Sequence, residues 1–356
     1  MISIFIQEVR NKIVTCKIRV PYSLKSFFRN DKFFVEYDES IESVPEPIMV
    51  IPAVMSIAPL AWASNVKVFT PVLDECFYHA LKDVRSGYAK MYPAVFSDSG
   101  PTVLCDKLVS VFPLKESSRS AILFSGGVDS TAAVLDMLEK SPALVVVHGS
   151  DISLNNFSGW KNVYKYAYQF AKLHKLPIHA VRSNFREIFR YRFIDYEYES
   201  KLGRSWWGAV QHGTALPALC APLAWKHGYK EVILASEVGG NPTYTGAQLI
   251  FVNKLAWSGT NVFLADAEIS RQKKIARIGN YIHINKLKIT IRSCLKHVAG
   301  YNCSRCLKCR RTIIGFILED IDLNTVGFLV NNNTLPEIRR EFETGHLYLY
   351  GTDILY

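Results

Sequence analysis

Ala121-Ile122-Leu123-Phe124-Ser125-Gly126-Gly127-Val128-Asp129-Ser130 reads as a short buried strand that turns through a glycine loop into a helix. Two consecutive glycines let the backbone turn tightly and approach a ligand with no Cβ in the way. The N–H groups that open the following helix face the same place, and the helix dipole adds partial positive charge there. Ser125 and Ser130 can donate hydroxyl hydrogen bonds to phosphate oxygens. Asp129 would be repelled by phosphate, so it is expected to hold Mg2+, directly or through water, or to fasten the loop's own amides. The plain alternative is a Gly-Gly turn with an Asp/Ser helix cap. Five fixed residue types at about 5–7% each coincide in about one window in a million, which favours the phosphate reading. No Gly-Lys-Ser/Thr closes the loop, so it is not a Walker A sequence.

Outward from this loop, apolar runs alternate with helical stretches. Ala143 to His148, Pro177 to Val181, Glu231 to Ala235 and Asn261 to Leu264 read as further strands. Helices are expected over about 130–140, 158–174, 206–227 and 270–279. Such alternation predicts an α/β fold with a parallel sheet covered by helices on both faces. Ligands of such sheets sit at the carboxyl ends of the strands, where the glycine loop begins. Upstream, Ile13–Val20 and Phe33–Tyr37 are rich in β-branched and aromatic residues and favour short antiparallel strands, with helices near 51–65 and 71–93. A polar break at Lys115-Glu116-Ser117-Ser118-Arg119 suggests a boundary. The expected organisation is a smaller α+β domain over 1–115, the main domain over 116–320, and a tail over 321–356.

Composition narrows the class without deciding it. Of the 356 residues 49% are hydrophobic and 21% charged, which excludes wholesale disorder. The formal charge of +10 suits an anionic partner, whether nucleotide, nucleic acid or acidic protein, and equally suits a basic soluble enzyme. The uncharged stretch Ile48–Ser64 contains Pro52 and Pro59 and falls short of a span of about 20 residues; a buried strand running into a buried helix is the cheaper reading. With no visible targeting segment, a cytoplasmic location and no membrane partner are expected.

Four of the eight cysteines are scattered. Cys294, Cys303, Cys306 and Cys309 instead follow C-x8-C-x2-C-x2-C, the spacing with which tight turns present thiolates to one tetrahedral ion. Four thiolates fill the sphere of a zinc ion and argue for a structural site. An iron–sulfur cluster is the main rival. Lys296, His297, Arg305, Lys308, Arg310 and Arg311 surround the cysteines and would offset their charge.

Together, Ser-Gly-Gly-x-Asp-Ser and the downstream cysteine pattern resemble the PP-loop ATP pyrophosphatases and, among them, the 7-cyano-7-deazaguanine synthases. The runs Asn302–Thr312 and Ala267–Lys274 carry the likeness further, which extends over about 120–320. The resemblance implies a Rossmann-like sheet, binding of ATP with Mg2+ at Ser125, Gly126, Gly127, Val128, Asp129 and Ser130, and structural Zn2+ at the four cysteines. It also implies adenylation of a carboxylate such as 7-carboxy-7-deazaguanine with release of pyrophosphate, then attack by an amine. Asp129, Ser130 and Lys274 would be the catalytic groups. About 115 residues precede the loop where the standard enzyme has almost none. Relatives with such an extension occur in antiphage defence operons, so conjugation of a deazaguanine to a protein amine is admitted, with the extension docking a protein partner. A tRNA-modifying enzyme and a non-catalytic ATP-binding subunit are the alternatives.

Several residues are weaker candidates. Gln211 and His212 lie in a helical region expected to face the nucleotide, and Glu237 follows the Glu231–Ala235 strand at its ligand end; these could meet the substrate, or be a core or cap histidine and a turn. Ser270, Arg271 and Lys274 could steady phosphates or form a solvated basic face. Trp206-Trp207 could stack on a base or divide between core and surface. Arg182 to Arg192 is a candidate nucleic-acid surface.

Overall fold

The computed structural model describes residues 1–100, 103–236, 245–294 and 300–347. Among these, hydrogen bonds join eleven strands into one sheet. In chain order they are β1 (Ile2–Arg10), β2 (Ile13–Arg19), β3 (Lys32–Tyr37), β4 (Val68–Asp74), β5 (Val103–Val109), β6 (Ala121–Leu123), β7 (Ala143–His148), β8 (Ile178–Ser183), β9 (Glu231–Ala235), β10 (Ala256–Trp257) and β11 (Thr260–Ala265). Across the sheet they run β10-β11-β9-β6-β7-β8-β3-β2-β1-β4-β5. The stretch β11-β9-β6-β7-β8 is parallel throughout. It follows the expected alternation of strands and helices, so the fold is α/β with a mostly parallel sheet.

Alternate side chains of these strands enter two separate cores, which is why the runs are apolar on both faces. Ala121, Leu123, Val145, Val232 and Leu234 point to one core; Ile122, Phe124, Leu144, Val146 and Ile233 point to the other. Helices Glu75–Met91, Tyr191–Leu202 and Ala221–His227 contribute to the first core. Helices Val128–Asp136, Phe157–Leu173, Arg271–Asn285 and Leu307–Leu318 contribute to the second.

The uncharged stretch is a helix, Ile51–Ala63, in which every residue through Trp62 is buried. Such a helix, apolar on all sides, belongs inside a large core. The strand expected at its start is helical instead, Glu46–Met49, and Pro47 and Pro52 each sit near a helix N-terminus, where a missing N–H costs nothing. Among the described residues no helix is long and apolar enough to cross a membrane.

The N-terminal part departs from expectation in two places. The stretch 71–93 begins as strand β4 and becomes helical only at Glu75, capped by the Asp74 side chain on the Phe77 amide at 2.8 Å. Pro71 lies inside β4 but outside the paired register of β4 with β5. The polar break near residue 115 also does not interrupt the sheet. β3 pairs antiparallel with β8 through Val35↔Ser183 and Tyr37↔Val181, so the strands before and after it share one hydrogen-bonded surface. The segment after residue 320 likewise joins the second core through Ile321, Val326, Phe328 and Ile338.

Tyr88 ties the early helix to the later ones. Its hydroxyl donates to the Val210 carbonyl at 2.8 Å and lies 3.0 Å from the Thr214 hydroxyl, and its ring stacks on Phe251 at 4.2 Å. Removing the ring leaves a large cavity, so Tyr88→Ala is expected to cost about 3–5 kcal/mol. Tyr88→Phe, which loses only the hydroxyl, should cost about 1 kcal/mol. Urea unfolding of both variants checks the ratio, and equal costs would remove the packing argument.

Candidate functional site

β6 lies between β7 and β9: the chain runs from β6 through β7 to β8 on one side and then returns to β9 on the other, which opens a crevice at the carboxyl end of β6. A cleft of about 530 Å3 occupies this place, floored by Leu123, Val145, Val147 and Leu234. Ser125, Asp129 and Ser130 of the glycine loop form one rim; Arg186, Trp207 and His212 form another. A smaller hollow of about 60 Å3 adjoins the loop, lined by Ser125, Gly127 and Val128 together with Arg271, Arg292 and Lys308.

The loop holds its shape through its own serines. Gly126 adopts φ +73°, a left-handed conformation that suits glycine. The Ser130 hydroxyl lies 3.2 Å from that of Ser125 and accepts the Ser125 amide at 3.3 Å, while the Gly127 amide donates to Ser125 Oγ at 3.3 Å. From outside, Arg292 closes the turn. Its amide donates to the Gly126 carbonyl at 2.7 Å and its Nε to the Ser125 carbonyl at 3.0 Å. Arg292 is held in turn by Asp151 at 3.5 Å.

Asp129 takes side-chain cations as partners, in place of the loop amides that were one expectation for it. Arg271 Nη1 stands 3.2 Å from one carboxylate oxygen and Lys274 Nζ 3.4 Å from the other. Lys274 is wholly buried and also donates to the Ser236 carbonyl at 2.6 Å. Burial alone would raise the Asp129 pKa, but Arg271, Lys274 and Lys308 outweigh it and hold the carboxyl below the usual carboxylate range. Arg271 begins helix Arg271–Asn285, capped by the Ser270 side chain on the Lys273 amide, so this helix start is structural as well as basic.

The remaining candidates divide. His212 lines the cleft, its Nδ1 2.9 Å from the Trp207 carbonyl. Gln211 is turned away from the cleft and fully buried; its amide donates to the Phe185 carbonyl at 3.1 Å and its oxygen accepts from the Tyr191 hydroxyl. Glu237 lies outside the described residues, as do Lys296 and His297. Trp206 enters the core while Trp207 faces the cleft. Trp207 opens a π-helical stretch, Trp207–Gln211, with Trp206 as its cap, a form frequent at functional sites. The run Arg182–Arg192 is largely engaged internally: Phe185, Ile188 and Phe189 are buried, Arg182 pairs with Glu36 at 2.9 Å, and Arg186 lies 4.0 Å from the Trp207 ring centroid. Sequence reasoning missed Arg292 and Arg186 as site residues. For Arg292 the available signal was its position two residues before the first clustered cysteine.

Cys294, Cys303, Cys306 and Cys309 converge, with all four sulfur atoms within 4.8 Å of one another. The Cys306 amide donates to Cys303 Sγ at 3.3 Å, and Ser304 takes φ +55° to make this tight turn. Burial would raise the Cys303 pKa, but amide donors from Arg305 and Cys306, with the neighbouring thiols, bring it down to about 7. Four convergent sulfurs, one eased toward thiolate, fit a metal ion such as zinc. Cys306 also caps helix Leu307–Leu318, whose Thr312 hydroxyl accepts from Arg271 at 3.0 Å and lies 2.8 Å from Ser293 Oγ. The cysteine segment and the glycine loop are thus joined through Thr312, Arg271 and Asp129.

Among known proteins, no family model and no curated sequence matches this chain.

Two predictions follow from the geometry. Cys306→Ser should lose bound metal by elemental analysis and lower the unfolding temperature, and full metal retention would contradict a four-sulfur site. Asp129→Asn should cost about 3 kcal/mol at neutral pH by leaving two buried cations short of a counter-charge. The wild-type carboxyl has a lowered native pKa, so its contribution is present above the unfolded value of about 3.9 and is lost as pH falls through the native one. The gap between wild type and variant in urea unfolding should therefore be flat near neutrality and close only in acid.

Proposed function

We propose that the chain is an ATP-dependent carbon–nitrogen ligase of the PP-loop kind, forming AMP and pyrophosphate, with chemistry like that of 7-cyano-7-deazaguanine synthase. The observation that carries this reading is the convergence of the loop Ser125–Ser130, a helix N-terminus, Arg271, Arg292 and Lys308 on one small hollow beside an apolar cleft. Oriented amides and three cations suit the oxygens of a polyphosphate, and the adjoining cleft has the volume for a nucleoside and a planar acid. The reversal of strand order at β6, within strands that all run parallel, supports a Rossmann-like nucleotide site.

In this reading a substrate carboxylate oxygen attacks the α-phosphorus and the α–β bridging bond breaks, releasing pyrophosphate. An amine then attacks the acyl carbon, loses a proton, and expels AMP. With ammonia the product is an amide, which a second ATP can dehydrate to a nitrile; with a protein amine it is a conjugate. Mg2+ would neutralise phosphate charge during the transfer. The chain's residues supply position and electrostatics: the loop and Ser130 hold the phosphates, and Arg271, Arg292 and Lys308 meet the charge that grows on the departing pyrophosphate. Asp129 and Lys274 act by keeping Arg271 and the loop in register. Trp207 with Arg186 offers a face for a planar acid, with His212 beside it.

Incubation with Mg-ATP and 7-carboxy-7-deazaguanine, with and without ammonia, tests the proposal by mass spectrometry. AMP with an amide or nitrile is the expected outcome, and Ser130→Ala should slow it by about 100-fold. Intact ATP, together with no isotope exchange between pyrophosphate and ATP, would overturn it.

A further inference from the structure

A second group of metal-ligating side chains lies at the opposite edge of the parallel strands, where β8 and β9 begin. It is remote from the cleft and independent of the proposed activity. Asp38 and Glu39 follow β3, His179 is on β8, and His227 ends helix Ala221–His227. One donor atom each from Glu39, His179 and His227 falls within 4.8 Å of the others. His179 Nδ1 is 3.6 Å from Glu39 Oε1 and 3.6 Å from Asp38 Oδ1, and His227 Nε2 is hydrogen-bonded to the same Glu39 oxygen.

The atoms not aimed at this centre are already engaged elsewhere. His179 turns its other nitrogen to the Tyr229 hydroxyl at 2.9 Å, which orients the ring and leaves Nδ1 directed inward. Lys226 binds the outer oxygen of Glu39 at 2.5 Å and the Ser40 carbonyl at 2.6 Å. The Ala180 amide holds the outer oxygen of Asp38 at 3.0 Å. The His227 ring stacks on Tyr229 at 5.3 Å with planes 15° apart. Outer partners of this kind, bonded to the far side of each ligand, are what orient imidazole and carboxylate groups around an ion.

We propose that Glu39, His179 and His227, with Asp38 standing beside His179, bind a divalent transition ion of the zinc class. Tetrahedral zinc with ligands at about 2.0–2.1 Å places its donor atoms about 3.4 Å apart, close to the two 3.6 Å separations of His179 from Asp38 and Glu39, while the hydrogen-bonded Glu39–His227 pair must open to admit the ion. Two imidazoles select zinc over magnesium or calcium, which take oxygen ligands. Two carboxylates balance the ion's charge, while Lys226 remains on the outer oxygen. On binding, the Nε2 proton that His227 shares with Glu39 is displaced and both imidazoles coordinate neutral. Access is from a hollow of about 330 Å3 bordered by Lys115, Arg119, His227 and Tyr229. The ion would clasp the turn after β3 to β8 and to the Ala221–His227 helix, close to the β3–β8 junction where the N-terminal strands meet the parallel ones.

The test is an equilibrium Zn2+ titration of the metal-stripped full chain against a chromophoric chelator. Wild type should take two ions, His227→Gln one, and Cys306→Ser one. With Co2+, His227→Gln should retain the intense sulfur-to-metal charge-transfer band, while Cys306→Ser should keep only weak visible bands. Glu39→Gln serves as a second variant should His227→Gln fail to fold, and near-UV circular dichroism verifies the fold of each. Binding of a single ion by wild type, unaltered in His227→Gln and Glu39→Gln, would overturn the site.

Discussion

The geometry around the glycine loop depends on a buried ammonium. Lys274 has no contact with solvent, and a lone charge in such a place would cost several kcal/mol. Its compensation comes from one side-chain carboxylate, Asp129, and one carbonyl, Ser236. Asp129 sits in the first turn of the helix that leaves the loop, so pairing with Lys274 and Arg271 locks that helix against Arg271–Asn285. A negative side chain in a first turn also agrees with the helix dipole. The ion cluster therefore anchors the helix that leaves the loop, alongside the serine and Arg292 contacts that hold the turn itself.

From that cluster the constraint passes outward in both directions. Arg271 reaches Thr312, which sits beside Ser293, and Asn302 accepts the Ser293 amide at 2.8 Å while donating to the Ile291 and Gly327 carbonyls. In this way the strand-like approach to Cys294, the cysteine turn and the chain beyond residue 320 are held together. On the other side of the sheet, Tyr88 and Tyr37 carry the same role: the Tyr37 hydroxyl donates to the Leu219 carbonyl at 3.0 Å and draws β3 onto the end of helix His212–Ala218, whose His212 and Leu216 line the cleft. Gly213 marks how close this packing is. A Cβ there would stand 1.4 Å from the Gly246 carbonyl oxygen, so only glycine lets that helix approach the backbone beside the cleft.

Where local pattern and tertiary structure agree, the sequence was readable. The strand, loop and helix at 121–136 and the four clustered cysteines are local signals, and both lie where expected. Between 68 and 109 the helix Glu75–Met91 was legible, but β4 was missed because Pro71 masks it and β5 because its pattern is mostly exposed and mixed. The polar run near 115 suggested a boundary, yet backbone pairing between β3 and β8 leaves no trace in composition. Gln211 looked like a ligand because its helical region was expected to face the nucleotide; its two partners, Phe185 and Tyr191, come from other segments and could not be inferred from spacing. Arg292 acts through main-chain carbonyls, for which no residue pattern exists.

The position of the cysteine cluster also bears on what the cations of the small hollow can do. With zinc bound, four thiolates leave a net charge of about −2. Cys294 borders the same hollow as Arg292 and Lys308, and Lys308 stands between two of the cysteines in sequence. With a zinc ion in place these cations would have an anion behind them and the loop in front. A set of guanidinium and ammonium groups pointing at one another's solvent would repel and splay apart; backed by thiolates on one side and by Asp129 and Asp151 on the other, they can be held convergent before any phosphate arrives. In the proposed reaction, preorganisation of that kind would place charge where a leaving pyrophosphate develops it, with little rearrangement. A four-sulfur site can thereby influence the chemistry without an open coordination position, by determining where its neighbouring cations stand.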